Sequence, residues 1–426
     1  MMSIGIALLL AAYVFSCLFI LYFCVIADPA TSDIAYHVTI VLPNKIWLKL
    51  SHFLGEKRIR IVEAILERAL VAVYLAVVLG CWTVVFWFIY PWISESPHVS
   101  NVHQYIGILV FFACFGSWRL TNTTSPGIIT ARSFPRYNHY PYDHLLFLPD
   151  RRCETTNLIR IARSKFDRLR YNQNVPRYDH FCGWVYNTIG EENYRWFLLF
   201  LTVHVLMCFY GSYVIYFLFR GEIIQKNLLH LTFFDRSTGE TFQSNWFIVV
   251  QYLFVQKLWE AGALAIMFVM GIALSGFLGY HIWLTSKNMT TNEAQKWGDI
   301  QSWHKKEMKK YKDAVKRGEI QPSANETTQQ SGRVVELNDG DVNCTGGIAT
   351  SGSGSQQPQT PAQAPEPRII DPGPMPKNIY DRGFVENWKE VLFPISLRKE
   401  NILKKVEGTD LAPSRSSTGK RTKKQS

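Results

Sequence analysis

The chain is divided into long apolar blocks, each about the length a helix needs to cross the hydrocarbon core of a bilayer, and polar stretches that such a core would exclude. The apolar blocks are residues 4–26, 69–90, 104–121, 196–219 and 261–284. The third is the least apolar, and the fourth is interrupted only by His204. Residues 247–256 are apolar but too short to cross, which predicts a re-entrant or interfacial piece. The pattern predicts an all-α polytopic membrane protein with about five transmembrane helices and a small loop-rich insert before the fourth. No basic residue precedes the first block and no small-residue cleavage site follows it, so a retained span is expected rather than a removed leader.

These blocks divide the chain. Residues 1–121 hold the first three spans, 122–195 the insert, 196–284 the last two spans, 285–318 a basic segment, 319–372 a linker and 373–426 a C-terminal region ending in a basic tail. Ser125-Pro126-Gly127 reads as a turn just past the third span. In the basic segment Trp297, Ile300, Met308, Tyr311 and Val315 recur on one side at helical spacing, with lysines filling the rest. That pattern suits a helix lying on the membrane surface and equally one packing on the insert. The linker is rich in Gln, Ser, Thr, Gly and Pro and has too little apolar surface to order itself. Aromatic and aliphatic residues return at 378–397.

Charge sets the expected orientation. Eleven Lys and Arg lie in 122–195 and none in 91–103, and the positive-inside rule then puts the insert and the C-terminal region in the cytosol. The net charge of +11 is carried by cations beside the spans, so the expected polyanion is the lipid headgroup layer and no nucleic-acid partner is predicted. Of the eight cysteines, Cys17, Cys24, Cys81, Cys114 and Cys208 fall in apolar blocks and read as packing residues. Cys153 and Cys182 lie in the insert, where a reducing cytosol disfavours a disulfide between them. Within the spans only His204 and Glu260 come close to being intramembrane ionisable groups, too few for a transport path.

The chemistry concentrates at Asp179-His180-Phe181-Cys182. A histidine two residues before a cysteine shares its face on an extended segment and can take the thiol proton. An adjacent aspartate can orient the imidazole, completing a nucleophile, base and orienter. The string alone is weak, because a lone Cys near a His is usually structural. Its flank, Trp184-Val185-Tyr186-Asn187-Thr188-Ile189-Gly190 followed by Asn193 and Phe197 and leading straight into an apolar block, resembles the text after the active cysteine in the DHHC protein S-acyltransferase family. Thr290-Thr291-Asn292-Glu293 is similar to that family's TTxE motif, Ser125-Pro126-Gly127 to its DPG motif, and Asn378-Ile379-Tyr380-Asp381-Arg382-Gly383 to its C-terminal motif. The Thr290–Glu293 and Asn378–Gly383 motifs together look closest to the endoplasmic-reticulum and Golgi subgroup.

The resemblance implies a protein S-palmitoyltransferase that uses palmitoyl-CoA as acyl donor and acts on membrane-anchored proteins with juxtamembrane cysteines. Cys182 would be the nucleophile, His180 the base and Asp179 its orienter. Arg151, Arg152, Arg160 and Arg163 are candidates for the CoA phosphates, although each reads more simply as a solvated or lipid-facing charge. Thr291 and Asn292 would position structure. Lys423 and Lys424 resemble a dilysine retrieval signal for the endoplasmic reticulum, giving an expected reticulum or Golgi membrane location. The family's two structural zinc ions would be held by Cys and His. Here only Cys153 matches, while Thr156, Phe166, Asp167, Arg170 or Tyr171, Asn174, Phe181 and Thr188 stand at the other ligand positions. No structural zinc and no tightly bound cofactor are expected, and hydrophobic and aromatic contacts, with Phe166 and Phe181 as candidates, are expected to hold the insert instead. The alternative is a catalytically inactive membrane adaptor that kept the fold.

Overall fold

The computed structural model describes residues 37, 41–234, 239–320 and 370–402. The apolar block at 4–26, almost all of the linker and the Lys423-Lys424 pair lie outside the described residues. The chain forms two compact units, 1–79 and 80–426. The described part of the first is helical and belongs to α1 (Leu42–Val84), which is broken at Gly55.

Among the described residues, four stretches are long and apolar enough to cross a bilayer: Arg68–Glu95, Val102–Thr123, Tyr194–Gln225 and Leu258–Ser286. They coincide with the expected spans at 69–90, 104–121, 196–219 and 261–284, each continuing a little past its apolar block. The first runs from α1 through a π-helical turn, Val85–Ile89, into α2 (Tyr90–Glu95). The others are α3 (Val102–Thr123), α5 (Tyr194–Gln225) and α7 (Leu258–Ser286). Helices suit this role because their backbone groups are satisfied internally. Leu109, Phe112, Leu206, Phe268 and Val269 face outward, where a water-exposed helix would carry polar side chains.

α5 packs against both α3 and α7. At the α5–α7 approach Gly211 leaves room for the tip of the Met267 side chain, which a Cβ there would push aside. Ile89, Ile93, Ile215, Leu218 and Met267 form the core at that level. The expected short piece is α6 (Trp246–Gln256), capped by Asn245, whose side chain accepts from Ile248 N at 3.0 Å.

The insert contains α4 (Phe134–Tyr137) and two small antiparallel hairpins, β1–β2 (Lys165–Asp167 and Gln173–Val175) and β3–β4 (His180–Cys182 and Asn187–Ile189). Its apolar core is Ile129, Phe134, Tyr137 and Ile161, with Val175, Val185 and Ile189 fully buried. Hydrophobic and aromatic contacts thus hold the insert, but the two candidates Phe166 and Phe181 are only half-buried and lie outside this core. Gly127, in the turn past α3, has a φ of +93° and leaves no room for a Cβ beside Pro176.

After α7 comes α8 (Thr291–Lys316), which begins at a capping box between Thr290 and Glu293. Its apolar side is covered by protein: Trp297, Ile300 and Ala314 are buried, and His304 Nε2 meets Gly373 O at 2.8 Å. The segment 370–402 carries α9 (Phe384–Leu392) and α10 (Lys399–Ile402). It is tied to the end of α7, where fully buried Asn387 donates to Ser286 O at 2.9 Å, and to the insert, where Ser396 N donates to Glu191 Oε1 at 2.9 Å.

Candidate active site

The β3–β4 hairpin positions the Asp-His-x-Cys string. His180 pairs with Ile189, Phe181 with Thr188 and Cys182 with Asn187. Asp179 N continues the ladder to Ile189 O at 2.9 Å. Alternation along the strand puts His180 and Cys182 on one face, as the sequence predicted. Two asparagines hold the hairpin against the membrane-spanning helices. Asn187 Nδ2 donates to Thr121 O at 2.8 Å and Thr124 O at 2.9 Å, at the end of α3. Asn193 Nδ2 donates to Thr188 O at 2.9 Å and Thr124 O at 3.1 Å, just before α5 begins.

Asp179 is fully enclosed and forms the hub. His180 Nδ1 lies 2.6 Å from Asp179 Oδ2. Thr291 donates twice: its N–H to Oδ1 at 2.8 Å and its hydroxyl to Oδ2 at 2.9 Å. The carboxylate thus sits at the N-terminus of α8, where the helix dipole favours negative charge. Burial alone would raise the Asp179 pKa, but the hydrogen bond and charge of His180 and the Thr291 N–H outweigh it and hold the group below its usual range. With Nδ1 engaged, Nε2 is the nitrogen left to face Cys182, which shares its side of the strand. Burial works against the imidazolium, yet Asp179 and Cys182 together push the His180 pKa up to about 10.

The back of the His180 ring is closed by Phe197 of α5, with centroids 5.1 Å apart, and by His281 of α7 at 5.9 Å. His281 is almost fully buried, and its Nδ1 lies 2.9 Å from the Tyr194 hydroxyl.

A buried ionic network secures the α8 end of this arrangement. Arg163, 1% exposed, makes a two-pronged contact with Glu293, Nε to Oε1 at 2.7 Å and Nη2 to Oε2 at 2.8 Å. It also donates to Asn288 Oδ1 at 2.9 Å and stacks on Tyr380 at 4.5 Å. Asn288 donates in turn to Tyr380 O at 2.9 Å. Glu390, from α9, meets Arg163, Arg177 and Arg382. The expectation that Arg163 could face CoA phosphates is therefore corrected, because its guanidinium is enclosed and committed to protein. Arg151 and Arg152 remain at the surface.

The string Asp179, His180 and Cys182 is brought together as expected. Sequence reasoning missed His281, Tyr194 and the Arg163 network, and it did not pair Thr291 with Asp179. Among the described residues, no group of three or more His, Cys, Asp and Glu could hold a metal ion.

Residues 147–298, which contain both hairpins, α5, α7 and the start of α8, match the model of the DHHC palmitoyltransferase family. The chain carries a DHHC palmitoyltransferase domain. Similar proteins extend the match. Palmitoyltransferase SWF1 of Neurospora crassa is 29% identical over 214 residues, covering 48% of this chain and 49% of that protein. Palmitoyltransferase SWF1 of Yarrowia lipolytica is 27% identical over 320 residues, 70% of this chain and 74% of that protein. Palmitoyltransferase ZDHHC4 of Mus musculus is 33% identical over 199 residues, 46% of this chain and 55% of that protein. The chain spans about half the length of the first and third of these relatives. The DHHC domain holds all three members of the string, with Phe181 in place of the motif's second histidine.

Proposed function

We propose that this chain is a protein-cysteine S-palmitoyltransferase in which Cys182 carries the acyl group. The observation that supports this most strongly is the hydrogen-bonded chain of Thr291, Asp179 and His180 on the same strand face as Cys182. In it a base lies between a clamped carboxylate and a thiol. A base so placed can take the thiol proton as the sulfur attacks. In the first half-reaction the Cys182 sulfur attacks the thioester carbonyl of palmitoyl-CoA. The carbon–sulfur bond to CoA breaks, and the CoA thiolate leaves with the proton carried by His180. In the second, His180 takes the proton of a substrate cysteine, whose sulfur attacks the acyl-Cys182 thioester and frees Cys182 as thiolate. Asp179 keeps the ring oriented and offsets its charge throughout. The end of the alkyl chain would lie among the spans, where Trp82, Ile89, Met207, Val214 and Met267 line an apolar cavity.

The proposed substrates are membrane-associated proteins with cysteines near the bilayer, reached from the cytosolic face. The positive charge of the insert supports that orientation. The proposed location is the endoplasmic reticulum membrane or the Golgi, supported by the Thr290–Glu293 and Asn378–Gly383 motifs. Imaging of the tagged chain against reticulum and Golgi markers tests the location, and plasma-membrane staining would refute it.

Incubating purified chain with an alkyne analogue of palmitoyl-CoA should give a hydroxylamine-sensitive label that Cys182→Ala abolishes. The inactive-adaptor alternative predicts no label on either protein.

A further inference from the structure

The DHHC family implies two zinc ions in the insert, and the residues at those ligand positions do not supply what zinc requires. They fall into two groups. Cys153, Thr156 and Asn174 meet in one, with half-buried Phe166 paired across the strands to Asn174. Asp167, Tyr171 and Thr188 meet in the other, with Phe181 paired to Thr188. A tetrahedral zinc site needs four thiolate, imidazole or carboxylate donors. The first group offers one thiol, a hydroxyl and an amide. The second offers one carboxylate, a hydroxyl and a tyrosine backbone N–H. Neither set fits the ion.

These residues satisfy one another instead. In the first group Asn174 Nδ2 donates to Thr156 Oγ1 at 2.9 Å. The turn from Cys153 closes through Asn157 N to Cys153 O at 2.7 Å and Cys153 N to Leu158 O at 2.8 Å. Burial raises the pKa of the Cys153 thiol, but the Thr156 hydroxyl, the N–H groups of Thr155 and Thr156 and the Asn174 amide converge on the sulfur and lower it overall. Ile129 N donates to Asn174 O at 2.8 Å, so the same residue joins the group to the turn after α3. In the second group Asp167 is 2% exposed. Its Oδ2 accepts from Thr188 Oγ1 at 2.8 Å and Tyr171 N at 3.1 Å, and its Oδ1 from Leu169 N at 3.1 Å. Tyr171 OH donates to Asn187 Oδ1 at 2.9 Å and so reaches the asparagine that anchors the catalytic hairpin. No buried side-chain nitrogen or oxygen in either group is left without a partner, whereas ligands awaiting a metal would be.

We infer that two hydrogen-bond knots, Cys153–Thr156–Asn174 and Asp167–Tyr171–Thr188, stand where relatives hold zinc, and that this insert folds without metal. The second knot takes over the task of a metal staple: Asp167 ends β1 and Thr188 lies in β4, so their bond ties the two hairpins together. Breaking it leaves a buried carboxylate short of one donor, a change that costs more than the bond's net contribution.

The test uses the full chain purified without added zinc, with metal content read by mass spectrometry and unfolding followed by intrinsic fluorescence. The expected results are substoichiometric zinc and a melting temperature unchanged by a high-affinity zinc chelator. Thr188→Val should lower the melting temperature by several degrees, while Thr188→Ser, which keeps the hydroxyl, should stay close to the parent. If Thr188→Val fails to fold at all while Thr188→Ser folds, the knot is equally supported. One or two zinc ions per chain, a chelator-induced fall in melting temperature, or equal behaviour of the Val and Ser variants would overturn the inference. None of these readouts depends on acyl transfer, so the knots and the proposed activity can fail separately.

Discussion

Replacing Thr291 with valine removes one hydroxyl and keeps the size and branching of the side chain. That hydroxyl is one of two donors by which α8 holds Asp179, at 2.9 Å from Oδ2, and the backbone N–H at 2.8 Å from Oδ1 survives the change. A hydrogen bond to a charged group contributes about 1.5–3 kcal/mol. Asp179 Oδ2 keeps its contact with His180 at 2.6 Å, so the carboxylate is not orphaned and the lower half of that range applies. If the loss is felt mainly when His180 must be oriented over the sulfur, it corresponds to roughly a 10- to 50-fold slower acylation, at about 1.4 kcal/mol per factor of ten. The assay is single-turnover labelling of the purified chain with a fluorescent palmitoyl-CoA, with melting temperature measured in parallel. Thr291→Ser restores a hydroxyl and should recover most of the rate. A folded Thr291→Val protein that acylates within about twofold of the parent would refute the clamp, since that is under 0.5 kcal/mol.

Other consequences can be checked in the same preparation. Arg163→Met leaves Glu293 buried without its cation and Glu390 with only Arg177 and Arg382, and breaking a buried pair such as Arg163–Glu293 costs about 3–5 kcal/mol. Its melting temperature should fall well below that of the parent, and it should become easier to proteolyse within 370–402. Asn187→Ala removes one donor from each of the Thr121 and Thr124 carbonyls and loosens the hairpin from α3, so acylation should slow more than unfolding is affected; an unchanged rate would count against the hairpin's anchoring role. The Asp179–His180 pair should also make stability depend on pH. His180 is raised from 6.5 to about 10, so its contribution is complete below pH 6.5 and fades as pH rises towards 10. Asp179 is lowered from 3.8, so its contribution is present above that pH and lost on further acidification. Unfolding of the parent and of His180→Ala should therefore differ most between about pH 4 and 6.5, and a constant difference up to pH 10 would contradict the assignment.

The spans were legible because about twenty consecutive apolar residues have few soluble explanations. The Asp179–Cys182 string was legible for a local reason: strand alternation alone puts His180 and Cys182 on one face. What stayed hidden depends on partners far apart in sequence. Thr291 reaches Asp179 across 112 positions, and Arg163 reaches Glu293 across 130 and Glu390 across 227. In the sequence Arg163 looked like one more cation in a basic insert, and only the fold shows carboxylates closing over it. His281 was masked by its setting, since a single histidine inside an apolar block reads as packing. The insert misled in a different way. Loss of metal ligands pointed to aromatic filling by Phe166 and Phe181, whereas the polar replacements Asp167, Asn174 and Thr188 are the buried ones. A small domain can exchange a metal for satisfied hydrogen bonds as well as for apolar bulk, and composition alone does not choose between them.

The central claim is that the Cys182 sulfur carries the acyl group. Its most direct test is intact-protein mass spectrometry after brief exposure to palmitoyl-CoA, comparing the parent with Cys182→Ala and following each with neutral hydroxylamine. The account predicts one palmitoyl adduct on the parent, removed by hydroxylamine, with the modified peptide containing Cys182 and no adduct on the variant. An adduct of equal yield on Cys182→Ala, or a parent that remains unmodified while folded, would contradict it.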